Sequence, residues 1–346
     1  MRALGVSAAL VFCVLISGCG KGNENTEAGM LAISDGDYET ALELFSLARE
    51  AGEDRRLILR GEGIARMGQS DYASAVDSFS EALRMNNILP TDVDYDMNYY
   101  LACCYHKIGE SDKAISIYNT IISLNRSDAD AYYERGMVEL AQGNADAAAA
   151  DFNKALSIND SDYDRGIDMY NAMADAGYIE AGTTVLQGML DRGGKSITDY
   201  DLGRIYYCMG NYDQARESLE RAFNRNRTPE TVLALGRVYM ANKDYAYAAS
   251  FYESYLKDDP ECVPVWNEKG LCELQRDNPR DALSAFQSGI ASDGSEDMLQ
   301  VLKFNEICAY ERLGDFTAAR ERAAEYTGLW PGDEDGAREY AFLSTR

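Results

Sequence analysis

The sequence predicts an all-α fold: a right-handed α-solenoid of about nine helical hairpins, closed by a C-terminal capping helix. Three observations predict it. A phrase recurs along the chain: Gly, a small polar residue, an aromatic, two further residues and Ala, with another aromatic or aliphatic residue four positions on. The pivotal small residue of that phrase returns at a period near 34. A second small residue, usually Gly, stands twelve positions before the pivot in most copies.

In chain order, the first element is an export segment. Arg2 precedes an apolar run from Ala3 to Ile16, then Ser17, Gly18 and Cys19. A charged start, a short hydrophobic core and a small-residue cleavage site direct secretion, and the run is shorter than the roughly 18 residues of a membrane span. Ile16-Ser17-Gly18-Cys19 resembles a lipobox, the bacterial signal whose cysteine thiol receives a diacylglyceryl group before cleavage in front of it. The resemblance implies removal of residues 1–18, a diacylglycerol and an N-acyl chain on Cys19, and anchorage on the extracytoplasmic side of a bacterial envelope membrane. Two or more acyl chains hold stably where one is marginal. Residues 20–27 then read as a polar tether of at most about 30 Å. Gly20 and Lys21 follow the cysteine, without the Asp that retains many such proteins at an inner membrane.

The array occupies residues 28–332. Its pivots fall at Ala41, Ala75, Ala114, Ala148, Gly182, Ala215, Ala248, Ala282 and Ala319. Nine copies near this period resemble tetratricopeptide repeats, each a pair of antiparallel helices. The first helices carry Gly29, Gly63, Ala102, Gly136, Gly203, Gly236 and Gly270, which admit the second helix closely. Residues one turn beyond the pivot, such as Phe79, Tyr118, Phe152, Tyr252 and Phe286, share its helix face and fill the space between helices. The fifth copy is degenerate, with Tyr170 in place of the small residue and Gly182 at the pivot. Because an array is held by nearest-neighbour interfaces, this copy is the expected weak joint. Residues 333–346 read as an amphipathic helix suited to covering the last repeat.

Composition excludes several functions. The formal charge is -25, and removal of residues 1–18, whose only charge is Arg2, leaves -26. Nucleic acid requires a basic track, and this chain has none. An anionic membrane surface would repel the same body, so attachment has to be covalent. No catalytic residues and no metal site are expected: the single imidazole, His106, has no recurring carboxylate or nucleophile beside it. Gly194-Lys195-Ser196 has the wrong spacing and leaves a helix rather than a strand, so it is no phosphate loop. Asp160, Asp162 and Asp164 alternate as in a calcium loop, but Arg165 and Asn171 stand where that loop needs Gly and Glu. Of eight cysteines, Cys13 leaves with the export segment and Cys19 is lipidated. The other six are expected to be buried thiols rather than a disulfide framework.

The family resemblance implies that first helices line a concave face. Residues three before, one after and four after each small residue form a stripe on that face. The stripe yields a candidate peptide-binding groove of Tyr99, Tyr133, Met137, Tyr200, Arg204, Tyr207, Arg237 and Met240, with Cys103, His106, Leu140, Leu233, Asn267, Leu271 and Leu274 beside them. Tyr, Met and Arg are enriched where proteins bind peptides. Some members clamp an acidic C-terminus with Lys and Asn at matched places, where this chain has tyrosines and little Lys. The expected function is a membrane-anchored protein-protein interaction scaffold, with no cofactor beyond the covalent lipid. The alternatives are a self-associating structural adaptor and an accessory subunit of a solute-binding or enzyme complex.

Overall fold

The computed structural model describes residues 22–85, 91–292 and 294–346. Cys19, the export segment and residues 86–90 of the longer inter-repeat loop lie outside them. The described residues form nineteen α-helices and no strand. The first four hairpins are α1 (Glu24–Ser34) with α2 (Tyr38–Ala51), α3 (Arg55–Gly68) with α4 (Tyr72–Arg84), α5 (Asp92–Lys107) with α6 (Ser111–Leu124), and α7 (Ala129–Ala141) with α8 (Ala145–Ile158). The fifth copy supplies α9 (Tyr163–Asp175) and α10 (Ile179–Gly193), followed by a 3-10 turn at Gly194–Ser196. Next come α11 (Asp199–Cys208) with α12 (Tyr212–Arg225), α13 (Pro229–Ala241) with α14 (Tyr245–Leu256), α15 (Val263–Gln275) with α16 (Pro279–Ala291), and α17 (Glu296–Leu313) with α18 (Phe316–Leu329). The last helix is α19 (Glu334–Leu343).

The chain divides into two compact units, one of residues 1–162 and 171–185, the other of residues 163–170 and 186–346. The division runs through α9 and α10, the copy whose sequence departs furthest from the repeat. Within each unit the architecture is an α-solenoid. Second helices pack between their own first helix and the next, and first helices also touch one another, α1 to α3 to α5 in one unit and α11 to α13 to α15 to α17 in the other.

Most hairpins close on the same contact. The pivotal alanines, from Ala41 to Ala319, are fully buried, as are Phe45, Phe79, Phe152, Tyr252 and Phe286. A Cβ placed on Gly63 would stand 2.6 Å from the Phe79 ring, one on Gly236 2.2 Å from Tyr252 and one on Gly270 2.3 Å from Phe286. The first-helix glycine therefore makes room chiefly for the ring one turn beyond the pivot, rather than for the pivotal alanine itself. Gly61, a second glycine on α3, receives the Phe45 ring of the preceding hairpin at 2.3 Å.

The turn between paired helices explains the recurring phrase. Its Gly adopts a left-handed conformation, with φ of +77° at Gly36 and +75° at Gly210. Where the next residue is Asp it caps the second helix: Asp37 accepts from the Thr40 amide, Asp71 from Ser74 and Asp315 from Ala318, whereas Asn144 and Asn211 make no such bond. Three copies lack the glycine, and Ser70, Lys243 and Asp277 take φ near +60° in its place. A side chain in this region is strained by about 1 kcal/mol. Lys243→Gly is accordingly expected to raise stability by about 0.5 kcal/mol, part of the relief being lost to glycine's greater unfolded entropy. Urea denaturation checks the sign.

The N-terminal boundary differs from the expected tether. Residues 24–27 belong to α1, because Glu53, after α2, reaches back to cap it. Its carboxylate accepts from the Asn25 and Thr26 amides at 3.0 and 2.8 Å and from both of their side chains. A reciprocal bond runs from the Asp54 amide to Asn23 Oδ1 at 3.2 Å.

At the other end α19 packs on α18. Asp333 caps it through the Asp335 and Gly336 amides and also accepts from the Tyr326 hydroxyl and from Gln300. Glu311 of α17 and Glu339 of α19 share a hydrogen bond. Burial and the Glu339 charge push the Glu311 carboxyl up to about 7 against the opposing pull of Arg346. Cys308 and Arg312 lie beside the pair. The unfolded carboxyl titrates near 4.5. Stability from this group is thus full below pH 4.5, declines as pH rises toward 7, and is absent above it. Glu339→Gln is expected to flatten that slope and to add about 1 kcal/mol above pH 7, the figure being kept small because both groups are part-exposed. Thermal melts across this range test it.

Candidate functional site

The stripe residues occupy first helices, but packing treats them unequally. In the first unit Tyr99 on α5 is committed to structure. Its hydroxyl donates to Asp128, the N-cap of α7, at 2.7 Å, and its ring meets Tyr118 edge-on at 5.8 Å. Burial and the Asp128 hydrogen bond push the phenol well above its ordinary range. Tyr133 and Met137 on α7 are half-buried, Tyr133 lying 6.0 Å from the Phe152 ring. Leu140 is buried. His106 is half-buried with Nδ1 3.2 Å from the Ser111 hydroxyl, and burial lowers its pKa.

In the second unit Tyr200, Arg204 and Tyr207 stand on α11, and Leu233, Arg237 and Met240 on α13. Tyr200, Tyr207, Leu233 and Met240 rest half-buried on the core that includes Val232, Leu235 and Tyr252. Neither arginine is without a partner. Arg204 lies 5.2 Å from the Tyr200 ring centre and pairs with Asp164 of α9 at 2.6 Å and Asp201 at 3.6 Å. Burial works against its charge, and the Asp164 hydrogen bond more than restores it. Arg237 donates through Nε and Nη2 to Glu268 Oε1 on α15, at 3.2 and 2.9 Å. Further along, Asn305 of α17 donates to Asn267 at 2.8 Å. Leu271 and Leu274 pack into the adjoining core.

Sequence reasoning found the arginines and tyrosines but missed Asp164, Glu268 and the Asn267–Asn305 bridge. A signal existed: Arg237 and Glu268 are 31 residues apart, close to one repeat, so they fall on adjacent first helices. The resulting surface is aromatic and aliphatic at its floor, with its charges already paired between neighbouring helices. It can hold an extended segment by burial and by exchange of hydrogen bonds. Among the described residues no cluster of His, Cys, Asp or Glu could hold a metal. The cysteines from Cys103 to Cys308 are thiols, and burial raises those of Cys104 and Cys272 to about 12.

Stacked hairpins, most of them sealed by a small residue and a bulky side chain, with first helices side by side within each unit, define a helical-repeat interaction scaffold. The family model described as tetratricopeptide repeat matches residues 60–124, 105–164, 200–261 and 233–297, more than half of the chain, and this protein belongs to that family. The gap between those matches coincides with the degenerate fifth copy. Among curated proteins, the chain is 22% identical over 243 residues to BBSome complex member BBS4 of Bos taurus, covering 69% of this chain and 38% of that one. It is also 22% identical over 247 residues to a TPR repeat-containing protein of Methanocaldococcus jannaschii, covering 68% and 42%. The chain thus spans about two fifths of the length of these relatives. A solved tetratricopeptide repeat protein from Parabacteroides merdae superposes with a TM-score of 0.48 at 12% identity, over 84% of this chain and 99% of that one. Yeast Tom70 superposes with a TM-score of 0.44 at 17% identity, over 86% and 66%.

Proposed function

We propose that this protein is a lipid-anchored scaffold of the bacterial cell envelope that holds a partner protein or extended peptide on its first-helix face. The observation that carries the reading is the run of half-buried Tyr133 and Met137 in one unit and Tyr200, Tyr207 and Met240 in the other, all on first helices. The tyrosines offer apolar area and hydrogen-bonding tips at low entropic cost, and the methionines adaptable apolar contact. The anchor rests on the lipobox at Cys19, outside the described residues; no helix among those described is long and apolar enough to cross a membrane.

Photo-crosslinkers at Met137, Tyr207 and Met240 in intact cells test the face, with Tyr247 on α14, which is 52% exposed, as the control. A defined protein captured from the first set and not from the control supports the reading. Capture only of the protein itself favours the self-associating adaptor, and equal capture at all positions overturns the groove. Separately, Cys19→Ala is expected to move the protein from the membrane to the soluble fraction, and continued tight membrane association sinks the anchor.

A further inference from the structure

Two register positions share one volume in each regular copy. One lies sixteen residues before the pivot, on the first helix, and the other seven after it, on the second. In the eighth copy they are Trp266 and Gly289, and a Cβ on Gly289 would stand 3.1 Å from the Trp266 Cβ. Elsewhere too, size at one position is balanced by the other. Leu59 and Tyr132 are matched by Ala82 and Ala155, whereas Asn98 and Lys303 are matched by Ile121 and Tyr326. The seventh copy has Val232 and Tyr255, both buried. The first has two short residues, Asn25 and Ala48, and there the Glu53 carboxylate reaches in to accept from Asn25 at 2.8 Å.

In the sixth copy both residues are short, Asp199 and Ala222, and a cavity of about 360 Å³ opens between α11, the end of α12 and the start of α13. Asp199 is held by Arg221 at 2.8 Å and Arg225 at 3.1 Å. The threonines of the wall spend their hydroxyls on caps: Thr198 donates to Asp201 at 2.6 Å, and Thr231 to the Asn226 and Thr228 carbonyls at 3.0 and 2.8 Å. The lining that remains is chiefly apolar. Arg225 stands at the rim, its side chain 77% exposed and paired to Asp199 through Nη1, which leaves a guanidinium face open. Tyr200 of the first-helix stripe forms another wall, so the cavity opens at the edge of that face.

We infer that this cavity is a subsite for one aromatic side chain of the bound segment, which supplies in trans the ring that the sixth copy lacks. Four copies place a ring of their own at this register: Tyr132, Tyr255, Trp266 and Tyr326. The volume is at the lower end for small-ligand sites, and an aromatic side chain is the largest apolar group that one residue delivers. The cation at the rim selects aromatic over aliphatic. Lys269 lies 5.2 Å from the Trp266 ring centre, and Arg135 and Lys154 lie 5.6 and 5.9 Å from that of Tyr132. Lys154 stands at the register of Arg221, one turn before Arg225. An entering ring meets the Arg225 guanidinium with its electron-rich face in the same way. Glu230, on the same wall, opposes an acidic side chain. The inference rests on the first-helix face being the binding surface.

The test uses the full chain with 13C-labelled alanine and threonine methyls, the Ala222 and Thr231 signals being assigned by their loss in Ala222→Ser and Thr231→Ser. N-acetylphenylalaninamide, N-acetylcyclohexylalaninamide and N-acetylalaninamide are the probes, all uncharged. The phenylalanine probe is expected to shift both signals saturably in the millimolar range, the cyclohexyl probe to bind about threefold more weakly, and the alanine probe not to bind. Asp199→Tyr, which supplies the ring in cis beside Arg221, should weaken the phenylalanine probe about tenfold or more with an unchanged or higher melting temperature. Ala222→Leu fills the same space from α12 and should weaken the probe likewise, read on Thr231, even if the first variant folds poorly. Arg225→Leu should bring the phenylalanine and cyclohexyl probes to equal affinity. Equal binding of those two probes to the wild type, or an unaltered shift in Asp199→Tyr and Ala222→Leu, overturns the subsite. Crosslinked partner capture at Tyr207 with silent Ala222 and Thr231 signals would remove the subsite alone and leave the scaffold standing.

Discussion

Gly61→Val is expected to destabilise the N-terminal hairpins by about 3 kcal/mol, toward the upper end for overpacking a core. The added Cβ would lie 2.3 Å from the Phe45 ring, and that ring has little room to retreat because its tip is already seated between Gly61 and Gly29, whose own Cβ position is 2.6 Å from it. Relief requires α3 to part from α2, which opens the interface between consecutive hairpins. In a repeat array such a loss stays near the substituted copy. Hydrogen exchange should therefore quicken in α1 through α3 and remain slow in α15 through α18. Gly328→Val on α18 is the matched control: nothing lies within 4 Å of its Cβ position, and its effect should be below about 1 kcal/mol. Equal effects at the two positions would refute the packing account.

Glu53→Ala is expected to cost about 2 kcal/mol, the range of a strong helix cap made by a charged acceptor. Burial alone would push this carboxyl up, but hydrogen bonds from Thr26 and Asn25 outweigh it and hold the group at about 2, against 4.5 unfolded. The depressed value fixes the sign. The contribution is whole above pH 4.5 and disappears as pH falls toward 2. Wild type and variant should converge in stability in acid and diverge at neutral pH, which paired denaturation curves at both ends would measure. A gap that persists in acid would assign the loss to packing instead.

The features legible in the sequence are those that repeat. The spacing from Gly236 or Gly270 to the ring sixteen residues on is set by helix pitch and the short turn, so it prints itself in each copy. The turn residues Gly36 and Asp37 are legible for the same reason, since conformation and cap act locally. Contacts made once were not. Glu53 caps a helix 27 residues earlier in the chain, and nothing in its own neighbourhood marks it. The candidate site divides the same way: Tyr200, Arg204, Tyr207 and Arg237 are given by register, whereas Tyr99 is spent on Asp128 and both arginines on carboxylates from adjacent helices. A stripe read on single helices records position but not what the neighbouring helix already claims.

Phe45 touches glycines on two helices, and this ties positions 29, 45 and 61 into one volume constraint. Side chains there are not interchangeable one at a time. Gly61→Ala alone overfills the space, while Phe45→Leu alone leaves it slack. Together they approach the arrangement that Leu219 makes opposite Gly203. The double substitution should cost less than its parts added, so an evolving lineage could cross from one packing to the other only by shrinking residue 45 first. The order of the steps is imposed by the ring.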